Sequence, residues 1–245
     1  MKIALLGYGR MGKAIASIAV SKGHEIVLKL DAPTENIDFN NADVAIDFSI
    51  PEAAFSNISQ ALINGVPVIS GTTGWQEKKG EIIALCKKHK GSFLYASNFS
   101  LGVNLFFELN SKLAKLMQDF DYKVSITETH HTQKIDAPSG TAISLADQIL
   151  PFSCNKDWVL DSNTRDSITI NAKRENDVPG THQVFYKSDI DEIEIKHTAK
   201  SRMGFAQGAV LAAEYIKDKQ GVFTMKDVLF KQFRNLSVRP CGEQL

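Results

Sequence analysis

Over the first hundred residues, short apolar runs alternate with longer periodic segments. Ile3–Leu6, Glu25–Leu30, Val44–Phe48, Pro67–Ser70 and Phe93–Ala96 have the length and aliphatic density of strands. Between them, Met11–Lys22, Glu52–Asn64 and Glu77–His89 repeat apolar positions at helical spacing. This β-α-β-α alternation predicts an α/β fold whose N-terminal part is a Rossmann-like parallel sheet, doubly wound by helices. Asp31–Asn41 has no strong period and reads as a loop joining the second and third strands.

After Phe99 the pattern changes. Val103–Phe120 is one long helical period, followed by strand-like runs at Tyr122–Glu128, Ile168–Ala172, Gln183–Tyr186 and Glu192–His197. In the last run Ile193 and Ile195 alternate with Glu192, Glu194 and Lys196, which gives one apolar and one polar face. Several strands with one further helix, Ala142–Leu150, predict an α+β substrate domain with an open mixed sheet. Ala209–Lys219 and Lys226–Phe233 are helical again and suit the first sheet, which needs cover on both faces. The expected division is therefore 1–100 with 206–245 as one domain, and 101–205 as the second.

The first strand runs into Gly7-Tyr8-Gly9-Arg10-Met11-Gly12 and then directly into a helix. A GxGxxG run alone is weak, but strand, loop and helix in this order make a dinucleotide loop. Gly7 allows the tight turn, Gly9 lets backbone approach a pyrophosphate, and Gly12 lets helix and strand pack closely. Asp31 ends the second strand about 20 residues on, where a carboxylate accepts ribose hydroxyls. A carboxylate repels a 2′-phosphate, and the next residues, Ala32 and Pro33, supply no Arg. NADH is thus expected to serve at least as well as NADPH, although Lys29 and Arg10 are cations that bear on phosphate binding. Two further loops, Gly71-Thr72-Thr73-Gly74 and Ala96-Ser97-Asn98-Phe99, leave the C-terminal ends of strands, where open α/β sheets bind ligands. Each read alone is also compatible with plain turn chemistry.

The densest chemistry lies in Glu128-Thr129-His130-His131-Thr132-Gln133-Lys134-Ile135-Asp136-Ala137-Pro138-Ser139-Gly140-Thr141. His130 and His131 are adjacent, so in extended backbone they point to opposite sides. One is placed to face a cleft while the other orients or contacts substrate. Ser139 is a good N-cap for Ala142–Leu150, leaving Gly140 and Thr141 to present first-turn N–H groups to a carboxylate. An imidazole with a pKa near ~6.5 exchanges protons at neutral pH, and a lysine near ~10.4 is normally a charged donor. Hydride delivery to a C=C or C=N bond leaves charge that needs a proton, which these groups can supply.

Composition narrows the partners. With 28 basic and 28 acidic residues, bulk charge gives no support to a nucleic-acid or anionic-membrane partner. No apolar run approaches the ~20 residues of a membrane span, and Met1-Lys2 precedes too short an apolar stretch for a signal peptide. Cys86, Cys154 and Cys241 are odd in number and far apart, so free thiols in the cytoplasm are expected, with neither disulfides nor a metal site.

The chain resembles the 4-hydroxy-tetrahydrodipicolinate reductase (dihydrodipicolinate reductase) family over nearly its whole length. The resemblance rests on Gly7 to Gly12, Asp47-Phe48-Ser49, Gly71 to Gly74, Ser97-Asn98-Phe99-Ser100 and, most specifically, Glu128 to Ala142. It implies reduction of a cyclic dicarboxylate in lysine and diaminopimelate biosynthesis, with NADH and/or NADPH as cofactor. It implies that His130 is the catalytic proton donor and acceptor, that Lys134 is a second donor, and that His131, Gly140 and Thr141 bind substrate. Gly7, Tyr8, Gly9, Arg10, Met11, Gly12, Asp31, Gly71, Thr72, Thr73, Ala96, Ser97, Asn98 and Phe99 would bind the nicotinamide cofactor, with Arg202 approaching it. A homotetramer built through the second-domain sheet is also implied. The Glu-Arg pair often found after the second strand is Asp31-Ala32 here.

Overall fold

The computed structural model describes residues 1–162, 164–201 and 203–234. The chain divides into two compact units, one formed by Met1–Leu101 with the chain from Phe205 onward, the other by Gly102–Gly204.

The first unit opens with β1 (Lys2–Leu6), α1 (Arg10–Ser21), β2 (Glu25–Leu30), β3 (Val44–Asp47), α2 (Pro51–Ile63), β4 (Val68–Ser70), α3 (Lys79–Lys88) and β5 (Ser92–Tyr95). In the central strands every side chain from Ile3 to Leu6 and from Val44 to Asp47 is buried, so both faces of the sheet must be covered. Strand alternation sends Ile3 and Leu5 to one core, with Ile15, Ala19 and Val210. Ala4 and Leu6 go to the other, with Ile58, Leu62, Ile82 and Phe93. The link from β2 to β3 carries no helix, as expected. It is held by Ile37 and Phe39, which bury themselves in the second of these cores.

The second unit contains α4 (Leu101–Met117, entering from the boundary), β6 (Lys123–His130), α5 (Gly140–Ile149), β7 (Asp157–Leu160), β8 (Ser167–Arg174), β9 (Thr181–Lys187) and β10 (Glu192–Thr198). Its sheet runs in the order β10-β9-β6-β8-β7. β6 is antiparallel to β9 and parallel to β8. The register aligns Ile126 with Val184 and Ile170, and α4 and α5 cover this rung through Phe106, Ala142, Leu145 and Ala146. Gln183 and Glu194, which bond to each other at 2.7 Å, lie on neighbouring strands one residue out of phase with the apolar rung, so the other face is polar.

The chain then returns to the first unit through α6 (Met203–Ile216), β11 (Gly221–Phe223) and α7 (Met225–Arg234). The first sheet thus has the order β11-β5-β4-β3-β1-β2, with every neighbouring pair parallel. Strand order reverses between β1 and β3, the point at which such sheets bind ligands. The α/β class and the mixed second sheet agree with the sequence pattern. The short strands β7 and β11 were not anticipated, because three or four residues are too few to show a period. Likewise α6 begins six residues before the expected Ala209, because Gly204 and Gly208 interrupt its helical signal. Among the described residues, no helix is long and apolar enough to cross a membrane.

Candidate active site

The loop after β1 separates two kinds of glycine requirement. Gly7 has φ +102°, and a Cβ there would lie 2.2 Å from the Phe48 carbonyl oxygen. A Cβ on Gly12 would lie 2.2 Å from the Gly7 carbonyl oxygen. The fold itself therefore forbids side chains at both positions. Gly9 differs, since a Cβ there meets nothing within 4 Å. Gly9 is the N-cap of α1, makes no side-chain cap, and has no acidic residue in the turn that follows. The first N–H groups of α1 are left open to an anion, and the space above them is the kind a pyrophosphate needs. Tyr8 and Met11 pack partly against the core, while Arg10 is exposed. Asp31 is exposed immediately after β2, and Lys29 places its ammonium 4.9 Å from the centre of the Tyr8 ring.

Asp47, at the end of β3, organises the neighbouring loops. It has no exposure, and its carboxylate accepts from the hydroxyls of Ser49 (2.6 Å), Ser70 (2.8 Å) and Thr72 (2.7 Å) and from the Asn57 amide (3.3 Å). Burial raises its pKa against the lowering effect of these four bonds. Thr72 is consequently a buried brace, which also accepts from the Ser49 amide at 2.9 Å, whereas Thr73 is exposed. Gly71 sits over the Phe48 ring, with room for no Cβ. Ala96 is half-buried and Ser97 exposed. Asn98 is buried, and its side-chain oxygen accepts from the Ser100 amide at 2.9 Å. Phe99 is a core residue stacked near Phe48, so only its main chain remains for a ligand. Arg202 lies outside the described residues.

In the second unit the chemistry follows from continuing the sheet register past its apolar rung. One rung on, Glu128 pairs with His182 on β9, and His182 with His197 on β10; the next rung pairs His130 with Arg174. All of these face the side that carries Ile126 and Val184, because side chains two apart share a face. The Ser139 amide, at the start of α5, donates to both Glu128 oxygens, at 3.0 and 3.2 Å. Ser139 caps α5 as expected: its hydroxyl accepts from the Ala142 amide at 3.2 Å and lies 3.1 Å from His182 Nε2. Gly140 is exposed, with open space where a Cβ would sit, and Thr141 is half-buried beside it.

His130 ends β6 and is buried, with its Nδ1 3.7 Å from Glu128. His131 follows, half-buried, with Nδ1 unpartnered among the described residues. Lys134 donates to both oxygens of Asp136 at 2.7 Å, leaving its third N–H for another acceptor. Arg174 ties down this loop by donating to the main-chain oxygens of Lys134 (3.3 Å) and Asp136 (2.8 Å). Burial lowers the His130 pKa; Glu128 opposes that shift, and Lys134 and Arg174 add to it. His182 is pushed down to about 3 by burial and by the charges of His130, His197 and Lys134, so its ring is neutral at physiological pH. Burial raises the Asp136 pKa, but the bonds and charge of Lys134 overcome it and hold the group below its usual range. Glu128, His130 and His182 bring three ligand-type atoms within 4.8 Å of one another. Ser139 already engages the carboxylate and His182, however, and Arg174 lies 3.6 Å from Glu128, so the cluster suits a solvated anion better than a cation.

Comparison with known proteins decides the family. The dihydrodipicolinate reductase N-terminal model matches residues 1–99 and the C-terminal model residues 102–229. A 4-hydroxy-tetrahydrodipicolinate reductase of Christiangramia forsetii is 59% identical over 239 residues, covering 96% of this chain and all of the relative. The chain belongs to the dihydrodipicolinate reductase family. Among solved structures of that family, the dipicolinate-bound reductase of Paenisporosarcina sp. TG-14 superimposes with a TM-score of 0.76 at 22% identity, covering 94% of this chain and 99% of the other. An amine dehydrogenase of Mycobacterium smegmatis shares the fold at 9% identity, with a TM-score of 0.62 and coverage of 92% and 95%.

The structure also brings to these sites residues that no local sequence pattern singles out. Glu128 stood in the quoted run, and its spacing of two from His130 on a strand was the available signal. Arg174 and His182 join the site only through strand pairing, which no local pattern reveals. Asp47 was visible as part of Asp47-Phe48-Ser49, but not as a four-bond hub.

Two measurements follow from this geometry. Gly9→Ala should change stability by no more than about 1 kcal/mol, an N-cap effect, yet weaken nicotinamide nucleotide binding about tenfold or more. Gly12→Ala, which drives a Cβ into the Gly7 carbonyl, should instead lower Tm directly; fluorescence titration and thermal unfolding separate the two. The second concerns His182, which titrates near ~6.5 when unfolded and near 3 when folded. Its contribution to stability is intact above the unfolded value and is lost as pH falls from 6.5 toward 3. Between pH 6.5 and 4.5 the wild type should therefore lose about 2–3 kcal/mol more than His182→Gln in denaturant unfolding.

Proposed function

We propose that this chain reduces 4-hydroxy-tetrahydrodipicolinate to tetrahydrodipicolinate in lysine and diaminopimelate biosynthesis. The observation that carries this reading is the 59% identity to a curated reductase along 96% of the chain. The site agrees in its chemistry: a buried imidazole, an ammonium and an open helix N-terminus lie together within one unit. The reaction expels the 4-hydroxyl as water and adds a hydride and a proton. A reduced nicotinamide nucleotide supplies the hydride when bound to the first unit, where the free amides of α1 and the open space at Gly9 fit a pyrophosphate.

The residues of the second unit handle charge and position. Gly140 and Thr141 hold one substrate carboxylate against the first-turn amides of α5, a turn that carries no acidic residue of its own. His131 contacts the substrate from the end of β6. His130 gives and takes the proton at the reacting centre, and Lys134 is a second donor through its remaining N–H. Asp136 and Arg174 keep the Lys134 loop in place while this happens. Ser97, Thr73 and the main chain at Phe99 line the nicotinamide side of the first unit. The polar face of the second sheet is the surface through which we expect a homotetramer to form.

His130→Ala and Lys134→Ala should each lower turnover by roughly 10²–10⁴ while leaving nucleotide binding intact. Near-wild-type turnover in both would remove the assigned roles. NADH should serve at least as well as NADPH, since the exposed Asp31 carboxylate disfavours a 2′-phosphate. The ratio of kcat/KM values measures this, and a more than tenfold preference for NADPH would overturn it. Asp31→Ala should move the ratio toward NADPH.

A further inference from the structure

We propose that Glu128 is the positioning residue of proton transfer: its buried carboxylate holds His130 with Nδ1–H turned inward, so that Nε2 exchanges the proton. In the same contact set it pins the Ser139 amide, and with it the turn that presents Gly140 and Thr141. The inference rests on the reading of His130 as the acid–base group.

The placement of Glu128 is unusual for a structural residue. The rung before it, Ile126 with Val184 and Ile170, is wholly apolar and closed by α5. An apolar side chain at position 128 would simply extend that core. A carboxylate with no exposure instead requires donors, because isolated burial of a charge costs several kcal/mol. The Ser139 amide donates to it, and Arg174 Nη1 at 3.6 Å and the ring nitrogens His130 Nδ1 and His182 Nε2, each at 3.7 Å, stand around it beyond hydrogen-bond distance. It thus stands where the imidazole, the anion-binding turn and the brace of the Lys134 loop meet.

The carboxylate also decides which nitrogen of His130 works. Nδ1 is buried and has no hydrogen-bond partner among the described residues, and the group facing it accepts hydrogen bonds without donating them. A neutral ring with its proton on Nδ1 suits that neighbour, whereas a lone pair there would face negative charge. Nε2 lies 3.2 Å from the point where a Cβ on Gly180 would sit, so the glycine leaves that nitrogen uncovered by a side chain. A separation of 3.7 Å exceeds a hydrogen bond, and catalytic contacts of this kind commonly shorten in the loaded enzyme.

The charges around the ring are mixed. Glu128 on β6 and Asp136 in the loop favour the imidazolium; Lys134 in the loop and Arg174 on β8 oppose it. His182 on β9 faces the ring edge-on at 5.0 Å and is neutral, with His197 of β10 beyond it. Burial is the largest influence and lowers the His130 pKa, and Glu128 is the strongest counterweight. Without its charge, less of His130 is protonated at neutral pH.

The test uses Glu128→Gln and Glu128→Asp in the full-length chain, with His130→Ala alongside. Glu128→Gln should lower kcat roughly 10–10³-fold and move the basic limb of the pH–rate profile about one unit to lower pH, with nucleotide binding unchanged. Glu128→Asp restores the charge and should return the limb toward its original position. Long-range ¹H–¹⁵N spectra of histidine-labelled protein, with His130 assigned by difference, should show the Nδ1–H tautomer in the wild type and a mixture in Glu128→Gln. An unmoved limb and tautomer in Glu128→Gln, even with reduced kcat, would reduce Glu128 to a structural group. If Glu128→Gln does not fold, a wild-type His130 carrying its proton on Nε2 overturns the proposal by itself. An active His130→Ala would defeat the acid–base reading instead, while the tautomer measurement still judges the positioning.

Discussion

A carboxylate sealed from water has to be solvated by the protein, and around Glu128 that requirement assembles the second unit's functional groups. The sheet supplies His130 from the same strand and Arg174 and His182 from its neighbours, and α5 supplies the Ser139 amide. These come from four separate elements, between residues 128 and 182. Each is held by the need to answer one negative charge in a setting where alternatives are costly. The consequence reaches outward through Arg174, whose guanidinium grips the main chain on either side of Ile135 and so confines Lys134.

The first unit uses the same device. Asp47 has no exposure and takes four side-chain hydrogen bonds, drawing the ends of β3 and β4, the turn before α2, the middle of α2 and the Gly71–Gly74 loop into one network. Thr72 is fixed from both sides, by its hydroxyl on Asp47 and by the Ser49 amide that donates to it. Around this point backbone leaves no room for side chains at Gly7 and Gly12, and the Phe48 ring leaves none at Gly71. The open positions, Gly9 and Gly140, stand out by contrast. Both lie at helix N-termini, and among the described residues nothing stands within 4 Å of where a Cβ would be, so the fold itself does not require glycine at either position.

Buried titratable groups also carry a thermodynamic consequence. Burial, with the charges of His130, His197 and Lys134, keeps His182 neutral far below its ordinary range, and the fold is correspondingly weaker in acid. His130 shares the burial but keeps a carboxylate close by, which moderates the same shift. Two imidazoles 5.0 Å apart thus sit in different electrostatic settings.

Periodicity and local chemistry determined a large part of this protein without any coordinates. Apolar runs alternating with helical periods dictated the parallel sheet, and Ser139 before Gly140 dictated the start of α5, because both are properties of adjacent residues. The family resemblance was legible for the same reason, in short motifs of which the Glu128–Ala142 run is the most specific. Tertiary structure alone decided that Phe99 is a core residue, that Thr72 is a brace, and that β7 and β11 exist. It alone brought Arg174 and His182 to Glu128 across 46 and 54 residues of chain. Those meetings depend on which strands pair and in what register, and a register is set by the whole sheet's burial, so no segment contains it.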